Sequence, residues 1–459
     1  MRIELTIPFP LVNMISYIPI SKSINISNKQ IITHICTDSR LAQKGDLFIA
    51  LKGEKYDGND FLYDANARGA ISLGNQDTNA DIETPSTNSA LLYIAKYYKS
   101  LFEKLKSTVA VTGSVGKTST KEFIRQILTN RKIHANKGNY NNLIGLAHTI
   151  FTMPQNTEYL ITEMGMNHAG EISELSRCTN PDISIITNIG TAHIGNMGNR
   201  QAIADAKCEI LLGMKGGPII IPYDEPLLFH LSNTVKVGCN INAPYSLTKG
   251  SNGKYNYSYP EGNIDNIELG IISNHVEKNI SMAITASLLL KIPTSDIKIG
   301  AESITYDDIR GRTIVLNDFR IFDDSYNASY ESVIADLKHM STVSYDFPLG
   351  VFLGDINELG IHSEFIHRSL GNALPDFHIS NLYLKGKYAN LIAEGAIERG
   401  FDIKRIHINN DIDDIETSIR QIQDYHLKNE IILFKASHSQ RFDKIADLIA
   451  ENERKKHDR

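Results

Sequence analysis

The sequence predicts an α/β protein of three units. These are a small N-terminal αβ unit over residues 1–105, a central unit over 106–310 with a mostly parallel sheet and helices on both faces, and a second, Rossmann-like αβ unit over 311–459. Three observations carry this reading. A chain of 459 residues exceeds one ordinary core. A strand-like run, a glycine loop and an amphipathic stretch follow one another in VAVTGSVGKTSTKE, residues 109–122. Apolar runs then alternate with helical patterns through most of the remaining chain, which implies parallel strands joined by helices.

In the first unit LFIAL reads as a buried strand, DGND as a turn, and FLYDANARGA as a short amphipathic helix ending at Gly69. Before them Asp38, Ser39 and Arg40 form a polar turn, equally suited to turn formation or to ligand contact. In the central unit YLITEM, DISIITNIG and PIIIPY read as strands, and KEFIRQIL, EISELSRC and RQAIADAKCEILLGM as helices. From residue 238 to 275 the pattern changes to short alternating strands rich in Asn, Tyr, Ser and Gly, and the helix NISMAITASLLLKI follows. The third unit has strands at RIFDDS, LGVFLG, NLYLKG and IILFKAS and carries no glycine phosphate loop. No internal repeat or low-complexity tract interrupts this order.

Composition excludes several classes. With 42% hydrophobic and 22% charged residues the chain is an ordinary globular protein. Its net charge of −6 gives no support for a nucleic-acid surface. Cys36, Cys178, Cys208 and Cys239 are scattered without a C-x-x-C pair, which argues against a disulfide framework or thiolate zinc site and fits a reducing compartment. No apolar run reaches membrane-span length and no cleavage signal follows the N-terminus, so a cytoplasmic protein, not membrane-embedded and expected to be a monomer, is predicted.

The glycine loop is where chemistry concentrates. Gly113, Ser114, Val115 and Gly116 bring backbone N–H groups and a helix N-terminus to face an anion, Lys117 reaches terminal phosphates, and Thr118, followed by Ser119, offers a hydroxyl to Mg²⁺. Only the short form of the motif is present, because Val111 stands where the longer form has its first glycine. Ligands of open parallel sheets sit beyond the carboxyl ends of the strands. That rule puts Glu163, at the end of YLITEM, and residues 188–193, at the end of ISIITNIG, on the same edge. Mg²⁺ prefers oxygen ligands, and Glu163 is the best protein candidate. On spacing alone His193 is an ordinary loop histidine and Lys207 an ordinary solvated lysine. Asp323 and Asp324 suit a turn, a cationic amine or a base. GDINELGIHSEFIH, with Asp355, Glu358, His362 and His367, fits no zinc signature and reads as a substrate-facing loop and helix start.

With these residues assembled, the chain resembles the Mur ligase family of ATP-dependent amino-acid ligases over essentially its whole length. TDSRLAQKGDLFIALKGEKYDGNDF looks like that family's uridine-diphosphate domain, and VTGSVGKTSTKE is similar to its phosphate loop. KGNYNNLIG, EMGMNHAGEISEL, PDISIITNIGTAHIGNMGN and IADAKCEIL follow the central-domain pattern, and DDSYNAS and GDINELG the third. The TSTKE ending favours the branch that joins D-Ala-D-Ala to a UDP-muramoyl tripeptide. The resemblance implies ATP and two Mg²⁺ ions as cofactors, with Thr118, Glu163, His193 and Lys207 as metal residues, Lys207 through a carbamate. It implies catalytic roles for Lys117, His193 and Lys207, and nucleotide contacts from the phosphate loop, Asn279 and Arg312. Asp38, Ser39, Arg40, Asn141, Asn142, Asp324, Tyr326 and Asn327 are implied on the substrate side.

Departures from the family pattern cluster in the third unit. Ser329 and Tyr330 stand where Asn-Pro is common, and Lys435-Ala436-Ser437-His438 replaces KGSR. In addition Val276 interrupts a usual His-Asn, and PYDEP replaces NADDP near Asp224. They leave open a sister ligase that joins a different amine. A regulatory phosphate-loop protein without ligase activity is the reading of another class. Against it stands the intact set Lys117, Glu163, His193 and Lys207.

Overall fold

The computed structural model describes residues 1–23, 29–53, 55–270, 274–305, 312–325, 327–344 and 346–457. Tyr326 lies outside them. Among the described residues the chain forms three mixed sheets of six, nine and six strands.

The first sheet is ordered Arg2–Pro10, Ile31–Cys36, Asp46–Ile49, Ile71–Asn75, Ile82–Thr84, Lys22–Ser23, with its four inner strands parallel. In the central sheet Tyr245–Lys249, Thr234–Gly238, Ile219–Pro222, Ile183–Ile186, Ser107–Thr112, Tyr159–Glu163 and Ile133–Ala135 run parallel. Tyr255–Tyr259 and Gly262–Ile267 extend it as antiparallel strands. The third sheet has five parallel strands, Phe319–Asp323, Glu430–Lys435, Leu349–Leu353, Ile379–Lys385 and Ile406–Asn409, with Arg312–Val315 antiparallel at one edge.

The period-2 rule explains how the central strands bury both faces. Val109, Val111, Ile161, Ile183 and Ile185 face one apolar layer with Phe123, Ile124 and Ile127 of helix Lys117–Ile127. Their neighbours Ala110, Leu160 and Ile186 face the other, against Leu146 and Ile150 of helix Leu143–Phe151 and Ile172 and Leu175 of helix Glu171–Thr179. Helices therefore cover both sides, as the apolar runs predict.

Helix Thr87–Ser100 ties the first sheet to the central one. The Tyr98 hydroxyl accepts from Ile7 N at 3.2 Å and meets Thr6 Oγ1 at 3.1 Å, and its ring lies 5.7 Å from that of Phe151. The predicted DGND turn is the tight turn Gly58–Phe61, and helix Leu62–Ala67 follows it as predicted, ending before Gly69. The helix Arg200–Cys208 tightens into Glu209–Gly213, where a Cβ on Gly213 would lie 2.0 Å from Ser176 O. Among the described residues no helix is long and apolar enough to cross a membrane.

Candidate active site

Strand register brings the site together. Ser107–Thr112 lies between Ile183–Ile186 and Tyr159–Glu163, with Val111 opposite Glu163 and Thr112 opposite Ile186. The loops leaving these three strands therefore share one edge, as the topology rule predicts.

Two glycines are required by space as well as by backbone. Gly113 has φ +146° and Gly116 +82°. A Cβ on Gly113 would sit 1.9 Å from Thr187 Oγ1, and one on Gly116 2.6 Å from Asn279 Oδ1. Asn188 holds the loop: its Oδ1 accepts from Ser114 N at 3.0 Å and Val115 N at 2.9 Å. Gly190 N donates to Ser114 Oγ at 2.9 Å, and Thr187 Oγ1 to Val115 O at 2.5 Å. Gly116 then caps helix Lys117–Ile127, whose first-turn amides, those of Lys117, Thr118 and the buried Ser119 included, face the mouth of the loop. Lys117 Nζ folds back onto Gly113 O at 2.8 Å and Ser114 O at 3.2 Å, so its charge hangs over the cradle.

On the neighbouring strand, Glu163 is buried and both of its carboxylate oxygens accept hydrogen bonds. Thr118 Oγ1 donates to its Oε2 at 2.8 Å and Asn141 Nδ2 to its Oε1 at 2.9 Å. The Asn136 amide pairs with the Glu163 backbone on both sides, accepting from N at 2.8 Å and donating to O at 3.0 Å. Lys121, fully buried on the phosphate-loop helix, donates to Asn136 O at 2.6 Å and pairs with Glu122 at 3.1 Å. Helix, loop and strand end are thus pinned to one another. Asn142 caps helix Leu143–Phe151 by accepting from Gly145 N at 2.9 Å.

Lys207 is buried, 2% exposed, where composition alone suggests a solvated lysine. Burial, and then the charge of Lys117, push its ammonium well below the ordinary lysine range. His193, held at φ +66°, has an imidazole lowered by burial; the charges of Lys117 and Lys207 act in the same direction, and Glu358 against it. The charge of Lys117 acts on both His193 and Lys207, so the three lie near one another. The Lys117 ammonium over the loop suits an anion such as a triphosphate. The oxygens of Thr118 and Glu163 suit a hard cation beside it. Among the described residues no group of three His, Cys, Asp or Glu side chains is placed to hold a metal ion.

The third unit closes one side of the space. Glu358 forms an ion pair with His193 Nδ1, its carbonyl accepts from Gly195 N at 2.9 Å, and His362 Nε2 meets Gly198 O at 3.1 Å. Glu331 accepts from Thr191 N at 2.8 Å and from Thr191 Oγ1 at 3.0 Å. A cavity of about 150 Å³ remains between the units, lined by His193, Asn327, Ser329, Glu358, Ser437 and His438. Behind it Lys435 joins the buried Asp324, at 2.5 Å, to the buried Asp336, at 2.7 Å.

Other expected residues lie elsewhere. Arg312 is engaged within the third unit, by Asp323 at 3.0 Å and Asp447 at 2.7 Å. Asp38 and Arg40 form their own ion pair at 2.7 Å in the first unit, and the guanidinium holds the Asp38 carboxyl down at about 2. Ser39 is buried in the same turn. Three residues escaped the sequence reading, Lys121, Asn136 and Glu331. Only Lys121 carries a signal, a charge placed among buried helix positions.

Comparison with known proteins follows this geometry. Residues 111–287 match the Mur ligase middle domain, and residues 31–95 the Mur ligase family catalytic domain. The chain is 33% identical to UDP-N-acetylmuramoyl-tripeptide--D-alanyl-D-alanine ligase of Bacillus subtilis, over 93% of this chain and 95% of that protein. Among solved structures it is similar to MurF from Acinetobacter baumannii, at 26% identity and TM-score 0.84, covering 98% of this chain and 100% of the other. It is also similar to MurF ligase from Thermotoga maritima in complex with ADP, at 25% identity and TM-score 0.76, covering 92% and 98%.

Proposed function

The chain belongs to the Mur ligase family, and from that premise we propose that it joins D-alanyl-D-alanine to a UDP-N-acetylmuramoyl tripeptide with cleavage of ATP to ADP and phosphate. It is an ATP-dependent amide-forming ligase, and its product completes the peptide of a cell-wall precursor. The observation that carries the reading is the convergence of Lys117, the Thr118–Glu163 pair, His193 and the buried Lys207 on one sheet edge under the third unit. The names of the relatives supply the substrates.

The reaction is a phosphoryl transfer followed by an acyl transfer. The terminal carboxylate of the tripeptide attacks the γ-phosphorus of ATP, and ADP leaves. The free amine of the dipeptide then attacks the resulting acyl phosphate at its carbonyl carbon; phosphate departs and the nitrogen gives up its proton. Lys117 and the first-turn amides of its helix neutralise charge as the phosphoryl group moves. In this reading Thr118 and Glu163 would hold one Mg²⁺, and His193 with Lys207 a second. Mg²⁺ bound there would screen the charge of the phosphates. Glu358, on Nδ1, orients the His193 ring and would leave Nε2 available to a bound cation. Burial lowers the Lys207 ammonium, which favours its amine as a nucleophile for CO₂ in this reading: its nitrogen would bond the carbon, a proton would leave, and an anionic carbamate would result.

We assign residues 1–105 to the UDP end of the substrate, 106–310 to ATP and 311–459 to the incoming dipeptide and to closure over the nucleotide. Asn279 against Gly116 supports a nucleotide-side role, and Asn327, which lines the inter-unit cavity, and Asp324, which Lys435 engages, a role in the third unit. The protein acts as a cytoplasmic monomer in this reading. Mass spectrometry of the reaction product tests it. The substrate should gain the mass of the dipeptide less one water; gain from a different amine in a substrate panel would move the assignment to a sister ligase.

A further inference from the structure

Ser329 and Tyr330 depart from the family pattern noted above, and the structure shows what they and the following Glu331 build. Ser329 caps helix Tyr330–Val343: its Oγ accepts from Ser332 N at 3.2 Å, while Ser332 Oγ accepts from Ser329 N at 2.9 Å. This reciprocal cap fixes the first turn of the helix, and with it the direction of Glu331. Glu331 leaves its own unit and reaches the central loop after strand Ile183–Ile186. There its two oxygens take the two donors of one residue, the backbone N–H and the hydroxyl of Thr191. Such a pair fixes orientation as well as distance. The next residue but one is His193. The preceding residue is Gly190, where a Cβ would lie 2.8 Å from the Glu331 carboxyl carbon. Gly190 is not among the glycines with positive φ. Its lack of a side chain thus admits the carboxylate, and no backbone requirement for glycine competes with that explanation. Gly190 N also donates to Ser114 Oγ in the phosphate loop. One short segment therefore joins the phosphate loop, the Glu331 contact and His193.

Resting on the ligase reading above, we propose that Glu331 is a positioning residue for the reaction. It is a carboxylate from the third unit that fastens the His193 loop in its working place when the units meet. ATP contacts the central unit, so the contact acts on the step after nucleotide binding. Loss of Glu331 lowers kcat and leaves the KM for ATP unchanged.

The test uses the full chain with ATP, the UDP-linked tripeptide and D-Ala-D-Ala. Glu331→Ala is expected to lower kcat roughly tenfold or more, with the KM for ATP within about twofold and the thermal midpoint unchanged. Glu331→Gln is expected to restore most of the rate, since its carbonyl accepts from Thr191 N and its amide donates to Thr191 Oγ1. Gly190→Ala is expected to reproduce the kcat loss by pushing the carboxylate away while leaving it present. Amide hydrogen exchange at Thr191 is read in the same proteins, and should quicken in Glu331→Ala and Gly190→Ala. Wild-type kcat in Glu331→Ala overturns the proposal. So does a loss of kcat that follows the thermal midpoint and is not rescued by Gln. Wild-type protein inactive on every acceptor removes the ligase reading. The exchange measurement then still decides whether Glu331 holds the loop, and unchanged Thr191 exchange refutes that contact on its own.

Discussion

Replacing Asn136 by Ala removes the one side chain that reads both backbone groups of Glu163. Three hydrogen bonds go: Glu163 N to Asn136 Oδ1 at 2.8 Å, and Asn136 Nδ2 to Glu163 O at 3.0 Å and to Tyr140 O at 2.9 Å. Asn136 is 1% exposed and Glu163 2%, so bulk water does not replace these partners freely. The orphaned Glu163 N–H costs about 1–3 kcal/mol, and each carbonyl that loses a donor about 1 kcal/mol. A loss of about 3–5 kcal/mol follows. The functional effect is separable from it. With its backbone released, Glu163 loses its registration with Thr118, and Asn141 loses the Tyr140 anchor beside it. The Mg²⁺ concentration for half-maximal phosphate release should rise roughly tenfold, corresponding to about 1.4 kcal/mol, with the KM for the dipeptide unchanged. Urea unfolding and a Mg²⁺ titration of initial rates measure the two effects. An Asn136→Ala protein that unfolds at the wild-type urea concentration and has the wild-type Mg²⁺ requirement would refute the reasoning.

Other consequences follow from the same geometry. Gly116→Ala places a Cβ 2.6 Å from Asn279 Oδ1 at φ +82°, and ATP affinity by calorimetry should fall roughly tenfold; unchanged affinity would mean the loop has another way to relax. Lys207→Met should abolish ligation while leaving ATP binding intact, and ¹³C-bicarbonate should give a carbamate signal in the wild type that the variant lacks. Burial holds the imidazoles of His134, His339, His367 and His407 below their ordinary value. As pH falls, the unfolded chain therefore takes up protons first. Stability is complete above about pH 6.5 and is lost as pH drops from there through the lowered folded values, so the urea midpoint should be lower at about pH 5.5 than at about pH 7.5. An equal or higher midpoint at the acid pH would contradict the burial argument.

Much of this arrangement is legible in the sequence because parallel strands buried on both faces read as unbroken apolar runs. Val109, Ala110 and Val111 announce their strand in that way, and so do Ile183, Ser184, Ile185 and Ile186. Once those strands are placed, the rule for carboxyl ends brings Gly113, Lys117, Glu163 and His193 to one edge without further information. Edge strands are harder. Arg312–Val315 is exposed at three of its four positions and Ile406–Asn409 is only partly buried, so neither shows a clear period. Lys207 illustrates a different limit: its type predicts a solvated residue, and only the packing of helix Arg200–Cys208 puts it inside. Asn136 and Glu331 were beyond reach for a related reason. Asn136 acts on a strand 27 positions later and Glu331 on a loop 140 positions earlier. Neither has a local motif, because the partner, not the neighbouring sequence, defines the role.

The central claim is that phosphate from ATP passes through the tripeptide carboxylate. Its most direct test is ¹⁸O transfer: the terminal carboxylate of the UDP-linked tripeptide is labelled, the reaction is run with ATP and D-Ala-D-Ala, and the released phosphate is analysed by mass. The account predicts one ¹⁸O atom in each phosphate, release that requires both substrates, and loss of release in Lys117→Ala. Phosphate that carries oxygen only from ATP and solvent, or that forms at the same rate without the dipeptide, would contradict it.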